Sequence, residues 1–141
     1  MASLNILLIE DDQIEIMKFQ RIVDALSRKH KTTTIADGEA AMDYLLEAAV
    51  LPELILLDLN MPKMNGIEFL KLLKKDDRLY HIPVVILTTS DNSADILAGY
   101  RAGIAGYITK PLKYDEYKKR LLTLLDYWSI NQMVQPTNLV S

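Results

Sequence analysis

Five short apolar runs, Ile6 to Ile9, the weaker Thr32 to Ile35, Leu54 to Leu57, Val84 to Leu87 and Ala105 to Ile108, punctuate this chain. Most are continuously apolar rather than alternating, which fits strands covered on both faces, as in a parallel sheet. The segments between them carry helical spacing. Ile16, Phe19, Val23 and Leu26 share one face of the first, and Ala41, Tyr44, Leu45 and Ala48 one face of the second. Leu70 and Leu73 anchor a third, Ile96, Leu97 and Tyr100 a fourth, and Tyr117, Leu121, Leu124 and Trp128 a fifth. The chain therefore reads as βα repeated five times. That pattern predicts an α/β fold, a five-stranded doubly wound parallel sheet with five helices, because right-handed crossovers place helices on both faces.

Turn and cap signals fall at the joints: Asp37-Gly38, Pro52, Asn65-Gly66 and Pro83. At 141 residues, half of them apolar, the chain suits one well-buried core and is short for two domains. We expect one domain over residues 1–128 and a tail or short arm over 129–141, where Ser129-Ile130-Asn131-Gln132 and Pro136 turn the sequence polar. With 16 basic against 19 acidic residues there is no basic excess to attract a nucleic-acid backbone. The absence of cysteine removes disulfides, thiol nucleophiles and thiolate metal sites. The opening MASLNILLIEDD lacks the layout of a secretory signal, and no apolar run reaches the roughly 18 residues of a membrane span, so a cytoplasmic protein is expected.

In doubly wound sheets ligands bind at the carboxyl ends of the strands. Glu10, Asp11 and Asp12 follow the first run, Asp58 the third, Thr88 the fourth and Lys110 the fifth. Each alone has an ordinary explanation as a cap, a loop residue or a surface charge; their joint arrival at one edge is harder to explain that way. Clustered carboxylates repel one another and seek a hard cation. Mg2+ suits them, since it takes oxygen ligands and combines one or two carboxylates with a phosphate oxygen. An aspartate beside that ion is placed to attack phosphorus, and Asp58 is the candidate nucleophile. Lys110 and Thr88 are of the types that stabilise the equatorial oxygens of a transferring phosphoryl group.

The run Leu57-Asp58-Leu59-Asn60-Met61-Pro62-Lys63-Met64-Asn65-Gly66 resembles the phosphoacceptor strand and following loop of response-regulator receiver domains. Glu10-Asp11-Asp12, Thr88 and Lys110-Pro111 fall in the order and approximate spacing of that family, and the resemblance covers roughly residues 4 to 128. It implies a flavodoxin-like strand order 2-1-3-4-5. The implied function is that of a single-domain response regulator in a two-component phosphorelay, a signalling protein that assists its own phosphorylation and dephosphorylation rather than an enzyme in the usual sense. A histidine kinase would donate the phosphoryl group to Asp58. By the same resemblance Asp11 is a direct Mg2+ ligand, Glu10 acts through a metal-bound water, Asp58 is acceptor and ligand together, and the backbone carbonyl of Asn60 supplies another metal oxygen. Asp12 either joins the acids or caps the first helix.

Lys110-Pro111 resembles the family's cis-prolyl joint, which would turn the lysine toward the site. Thr88 and Tyr107 match a hydroxyl–aromatic switch that couples phosphorylation to the face of the fourth helix, fifth strand and fifth helix. Asn60 and Ser90 occupy positions where the family varies and tunes phosphoryl lifetime. Ile86-Leu87-Thr88-Thr89-Ser90, Tyr107-Ile108-Thr109-Lys110-Pro111 and Asp126-Tyr127-Trp128 look similar to small regulators that partner phytochrome-type histidine kinases. The implied partners are such a kinase, a downstream protein or phosphotransfer partner, and a second copy of the chain as a homodimer, with neither nucleic acid nor membrane. Trp128 stands open between an interface residue and ordinary core packing.

A phosphatase of the haloacid dehalogenase type also uses a nucleophilic aspartate, Mg2+, a hydroxyl and a lysine. It needs a second aspartate two residues after the nucleophile, where this chain has Asn60, which cannot exchange a proton in that way. A flavodoxin-like cofactor carrier would meet repulsion from Glu10-Asp11-Asp12 at its phosphate cradle. A phosphorylation-independent binding module is the non-catalytic alternative. His30 and His81 are at no ligand spacing, and surface or loop placement is expected for both.

Overall fold

A computed structural model describes residues 3–134. Its elements alternate throughout: β1 (Asn5–Ile9), α1 (Gln13–Asp24), β2 (Lys31–Ile35), α2 (Gly38–Glu47), β3 (Leu54–Leu57), α3 (Gly66–Lys75), β4 (Val84–Thr88), α4 (Ser93–Arg101), β5 (Gly106–Thr109) and α5 (Tyr114–Ser129). The strands pair in the order β2-β1-β3-β4-β5 and every pair is parallel. This is the flavodoxin-like order that the sequence implied.

Because side chains alternate along a strand, each buried strand feeds two cores. Leu7, Ile9, Ile55, Leu57, Val84 and Ile86 pack on one side with Ala41 and Leu45 of α2 and Phe69, Leu70 and Leu73 of α3. Ile6, Leu8, Leu54, Leu56, Val85 and Leu87 pack on the other with Phe19, Ile22 and Val23 of α1 and Tyr117, Leu121, Leu124 and Leu125 of α5. This explains why the runs are continuously apolar: from Ile6 to Ile9 and throughout β3 and β4, every residue is buried. β2, at the sheet edge, is only partly buried and tolerates its threonines.

Polar side chains start the helices. Asp12, Asp37, Asn65 and Asn92 each accept a main-chain N–H in the first turn of α1, α2, α3 and α4. Asp12 is therefore a cap, with Oδ1 accepting from Ile14 N at 2.9 Å.

Several expectations need correction. The face assigned to α4 is not its buried one: Leu97 and Tyr100 are exposed, and the residue that sinks against the sheet is Gly99. A glycine leaves no apolar signal in a periodicity count. Tyr44 is likewise exposed on α2. His30 lies in the loop between α1 and β2, as expected, but is buried there rather than at the surface, with Nδ1 accepting from Leu4 N at 2.9 Å. No cis peptide bond occurs among the described residues, so Lys110–Pro111 is trans, the isomer that X–Pro bonds intrinsically favour. Trp128 is half-buried against the α1/α5 core and meets Tyr127 edge to face at 5.2 Å, so it packs within its own chain. The part of the expected tail from 135 to 141 lies outside the described residues. No helix among the described residues is long and apolar enough to cross a membrane.

Candidate functional site

Register brings the chemistry together. Ile9 pairs with Leu57 and Thr88 with Thr109, so the residues that follow β1, β3 and β5 leave the sheet at one edge. Their main chains stay tied to it: Glu10 N donates to Ile35 O at 3.0 Å, Asp58 N to Ile9 O at 3.0 Å, and Lys110 N to Thr88 O at 2.7 Å. Glu10, Asp58, Thr88 and Lys110 are buried there, while Asp11 is exposed.

Carboxylate oxygens of Glu10, Asp11 and Asp58 lie within 4.8 Å of one another. Three like charges this close, two of them out of solvent, are mutually repulsive and call for a cation. Part of that demand is met by Lys110, whose Nζ donates to Glu10 Oε1 and lies 3.4 Å from Glu15 Oε1. The other Glu10 oxygen accepts from Asp11 N at 3.1 Å and Asp12 N at 3.3 Å. Burial raises the Glu10 carboxyl above its ordinary range, outweighing the lowering pull of Lys110. Burial also acts to lower Lys110, but the hydrogen bond and charge of Glu10 overcome it and hold the ammonium above its usual range. Lys110 is thus a firmly charged group in a dry place.

The acids face a cavity of about 270 Å³ that Asn60, Thr89 and Glu15 also line. The clustered donors in it, from Glu10, Asp11 and Asp58, are carboxylate oxygens, and no imidazole or thiolate lines the cavity, which is the donor set of a hard cation such as Mg2+, Mn2+ or Ca2+. The residues fit such an ion. A larger cavity, about 710 Å³ between β5 and α5, is lined by Ile108, Leu124 and Tyr127 among others and holds no carboxylate cluster, so the chemistry belongs to the smaller one.

Thr88 Oγ1 accepts from Ser90 N at 3.4 Å, and Tyr107 Oη donates to the Ser90 carbonyl at 2.9 Å. Burial raises the Tyr107 phenol above its ordinary range against the opposite effect of that bond. Thr88 and Tyr107 are therefore linked through Ser90, whose own Oγ donates to Asp95 Oδ2 of α4 at 2.7 Å.

The structure brings Glu10, Asp11, Asp58, Asn60 and Lys110 around one cavity, with Thr88 buried at the same sheet edge. Asp12 lines the cavity while it caps α1. Sequence reasoning passed over Glu15, Thr89 and the Ser90–Asp95 bond. Glu15 could have been found: it follows the Asp12 cap by three residues, in the first turn of α1, where an acid is favoured.

Residues 6–122 match the family described as the response regulator receiver domain. Rcp1, a response regulator of a Synechocystis strain, is 36% identical over 128 residues, spanning 87% of this chain and 87% of its own length. FilR2 of Methanothrix harundinacea, named as a probable methanogenesis regulatory protein, is 36% identical over 127 residues, spanning 87% of this chain and 82% of its own. Among solved structures, the phosphorylated cyanobacterial phytochrome response regulator RcpA superposes with a TM-score of 0.89 at 35% identity, covering 95% of this chain and all of that one. The Mn2+-bound form of Rcp1 superposes with a TM-score of 0.87 at 33% identity, covering 94% of this chain and 99% of that one.

Proposed function

The chain belongs to the response regulator receiver domain family of two-component systems, and from that premise we propose that Asp58 takes a phosphoryl group from a histidine kinase with Mg2+ held beside it. The observation that carries this reading is the packing of the Glu10, Asp11 and Asp58 oxygens within 4.8 Å beside the buried ammonium of Lys110. Asp11, Asp58 and the Asn60 carbonyl would hold the ion, with Glu10 reaching it through water. Bound there, the cation would screen the two anions that must meet.

In the transfer, one Asp58 carboxylate oxygen attacks the phosphorus of a phosphohistidine. The O–P bond forms as the P–N bond breaks, and that electron pair returns to the kinase imidazole. Lys110 and Thr88 then face the phosphoryl oxygens, the ammonium by charge and the hydroxyl by donation. Assistance to both the gain and the loss of the phosphoryl group follows from the same groups, since they stabilise the same spread of charge in either direction.

The Mn2+-bound structure of Rcp1 and the phosphorylated structure of RcpA support the metal and phosphoryl assignments. RcpA is a phytochrome response regulator, which supports a phytochrome-type kinase as partner for this chain. Signal output would run from Thr88 through Ser90 to Tyr107 and α4, reshaping the face of α4, β5 and α5 for a downstream protein or a second copy. We assign residues 1–128 to the receiver unit and 129–141 to a tail or short arm, in a cytoplasmic protein.

Intact mass after incubation with acetyl phosphate tests the central claim. One Mg2+-dependent phosphoryl adduct, labile to hydroxylamine and missing in Asp58→Asn, is expected. An adduct that survives in Asp58→Asn would overturn the assignment. Steady hydrolysis of a small phosphomonoester would instead favour the phosphatase reading.

A further inference from the structure

Two acids that line the cavity stand outside the metal group: Asp12, which caps α1, and Glu15. Glu15 lies outside the Glu10–Asp11–Asp58 set, yet its side chain is only 17% exposed and lines the same cavity. Its two oxygens face two different ammonium groups. Oε1 is 3.4 Å from Nζ of Lys110, buried in the site, and Oε2 is 2.9 Å from Nζ of Lys18, which is 38% exposed on α1. The position of Glu15 is set locally: Asp12 Oδ1 accepts its backbone N–H at 3.4 Å, and the first turn of a helix favours an acid.

We infer that Glu15 is a positioning residue that sets how readily Lys110 turns to a phosphoryl group on Asp58, and that Lys18 opposes it by competing for the same carboxylate. This rests on Asp58 being the phosphoacceptor. A lysine ammonium is a point charge on a flexible stem, so it goes where the nearest negative charge is strongest. At rest Glu10 and Glu15 hold it from the α1 side of the cavity. To meet a phosphoryl oxygen it must leave Glu15, whose own charge also repels the incoming anion. Lys18 pulls on the other oxygen of that carboxylate and so weakens its hold on Lys110.

The arrangement gives two substitutions opposite signs. Glu15→Gln releases Lys110 and removes a repelling charge. Lys18→Ala leaves Glu15 wholly to Lys110. A general field effect of Lys18 on an anion would persist whatever stands at position 15, whereas competition through Glu15 vanishes once that carboxylate is neutral.

The experiment is calorimetric titration of beryllofluoride, a phosphoryl mimic, into the full chain at saturating Mg2+. For partly exposed pairs of this kind we expect Glu15→Gln to bind about threefold tighter and Lys18→Ala about twofold weaker than wild type. In the Glu15→Gln background, Lys18→Ala should change nothing. Unchanged or weaker binding by Glu15→Gln would overturn the inference, as would a Lys18→Ala effect of equal size in both backgrounds. Failure of the wild type itself to bind would overturn the phosphoacceptor reading, and the inference with it, so the two failures are distinguishable.

Discussion

Gly66 shows how closely the acceptor loop is packed. A Cβ there would sit 2.9 Å from the Asp58 carbonyl oxygen, 2.8 Å from Leu59 Cδ2 and 3.0 Å from Leu59 Cα. Two of those atoms are backbone and can yield only by moving Asp58. Gly66→Ala should therefore cost about 1–3 kcal/mol of stability and slow phosphorylation by acetyl phosphate; unaltered urea midpoint and rate together would show that the loop yields freely. His30 gives a pH dependence. Burial, helped by the Arg28 charge, lowers its pKa from 6.5, with Asp126 opposing. The neutral ring is thus the one that folds well, so its contribution is present above pH 6.5 and is lost as pH falls through the lower folded value. His81 is shifted the same way by its own burial and adds to the slope. His30→Asn, which keeps an acceptor for Leu4 N, should flatten the fall of the urea midpoint between neutral and mildly acidic pH, and an undiminished slope would clear His30 of the effect. Asp58 and Lys110 were legible because each stands within two residues of the carboxyl end of an apolar run. The burial of His30 and the contact of Glu15 with Lys110 were not, because their partners come from segments remote in sequence.

At the scale of elements, α4 differs from its neighbours. Phe69, Leu70 and Leu73 fasten α3 to the sheet, but only Gly99 of α4 is buried, and its Cβ position lies 2.9 Å from Cδ1 of both Ile86 and Ile104. Backbone sits where a side chain would ordinarily be. That is why apolar periodicity misjudged this helix: it scores side chains, and Leu97 and Tyr100 turned out to be exposed. Leu97→Ala should cost about 0.5 kcal/mol or less, against about 2–5 kcal/mol for the fully buried Leu73→Ala. A Leu97→Ala loss approaching that of Leu73→Ala would mean that α4 is covered in solution by something beyond this chain. A thinly anchored helix also opens locally at low cost. Amides of α4 should therefore exchange with deuterium faster than those of α3, and the Ser90–Asp95 bond makes α4 the element nearest the site that can respond at small cost in packing.

For the whole molecule, β1, β3 and β4 are shared by both cores, so neither layer can unfold alone without exposing the back of the other. The βα alternation and the apolar runs made this architecture legible. The pairing register was not, because runs apolar on both faces give no alternation by which to align one strand against the next. Register nevertheless decides the function, since it gathers Glu10, Asp11 and Asp58 at one edge while Lys110 is held by Glu10 and Glu15. Such a site is repulsive until a cation enters, and the repulsion is charged to the stability of the entire fold. Without divalent ions, Asp58→Asn should therefore be more stable than wild type by roughly 1 kcal/mol, since it removes one of three like charges. Millimolar MgCl2 should then raise the thermal midpoint of the wild type by more than that of Asp58→Asn, because the ion binds the native state through the carboxylate the variant lacks. If Asp58→Asn proves no more stable in the absence of metal, Lys110 already neutralises the cluster. The Mg2+ increment would then have to be understood as added ligand bonds rather than relief of repulsion.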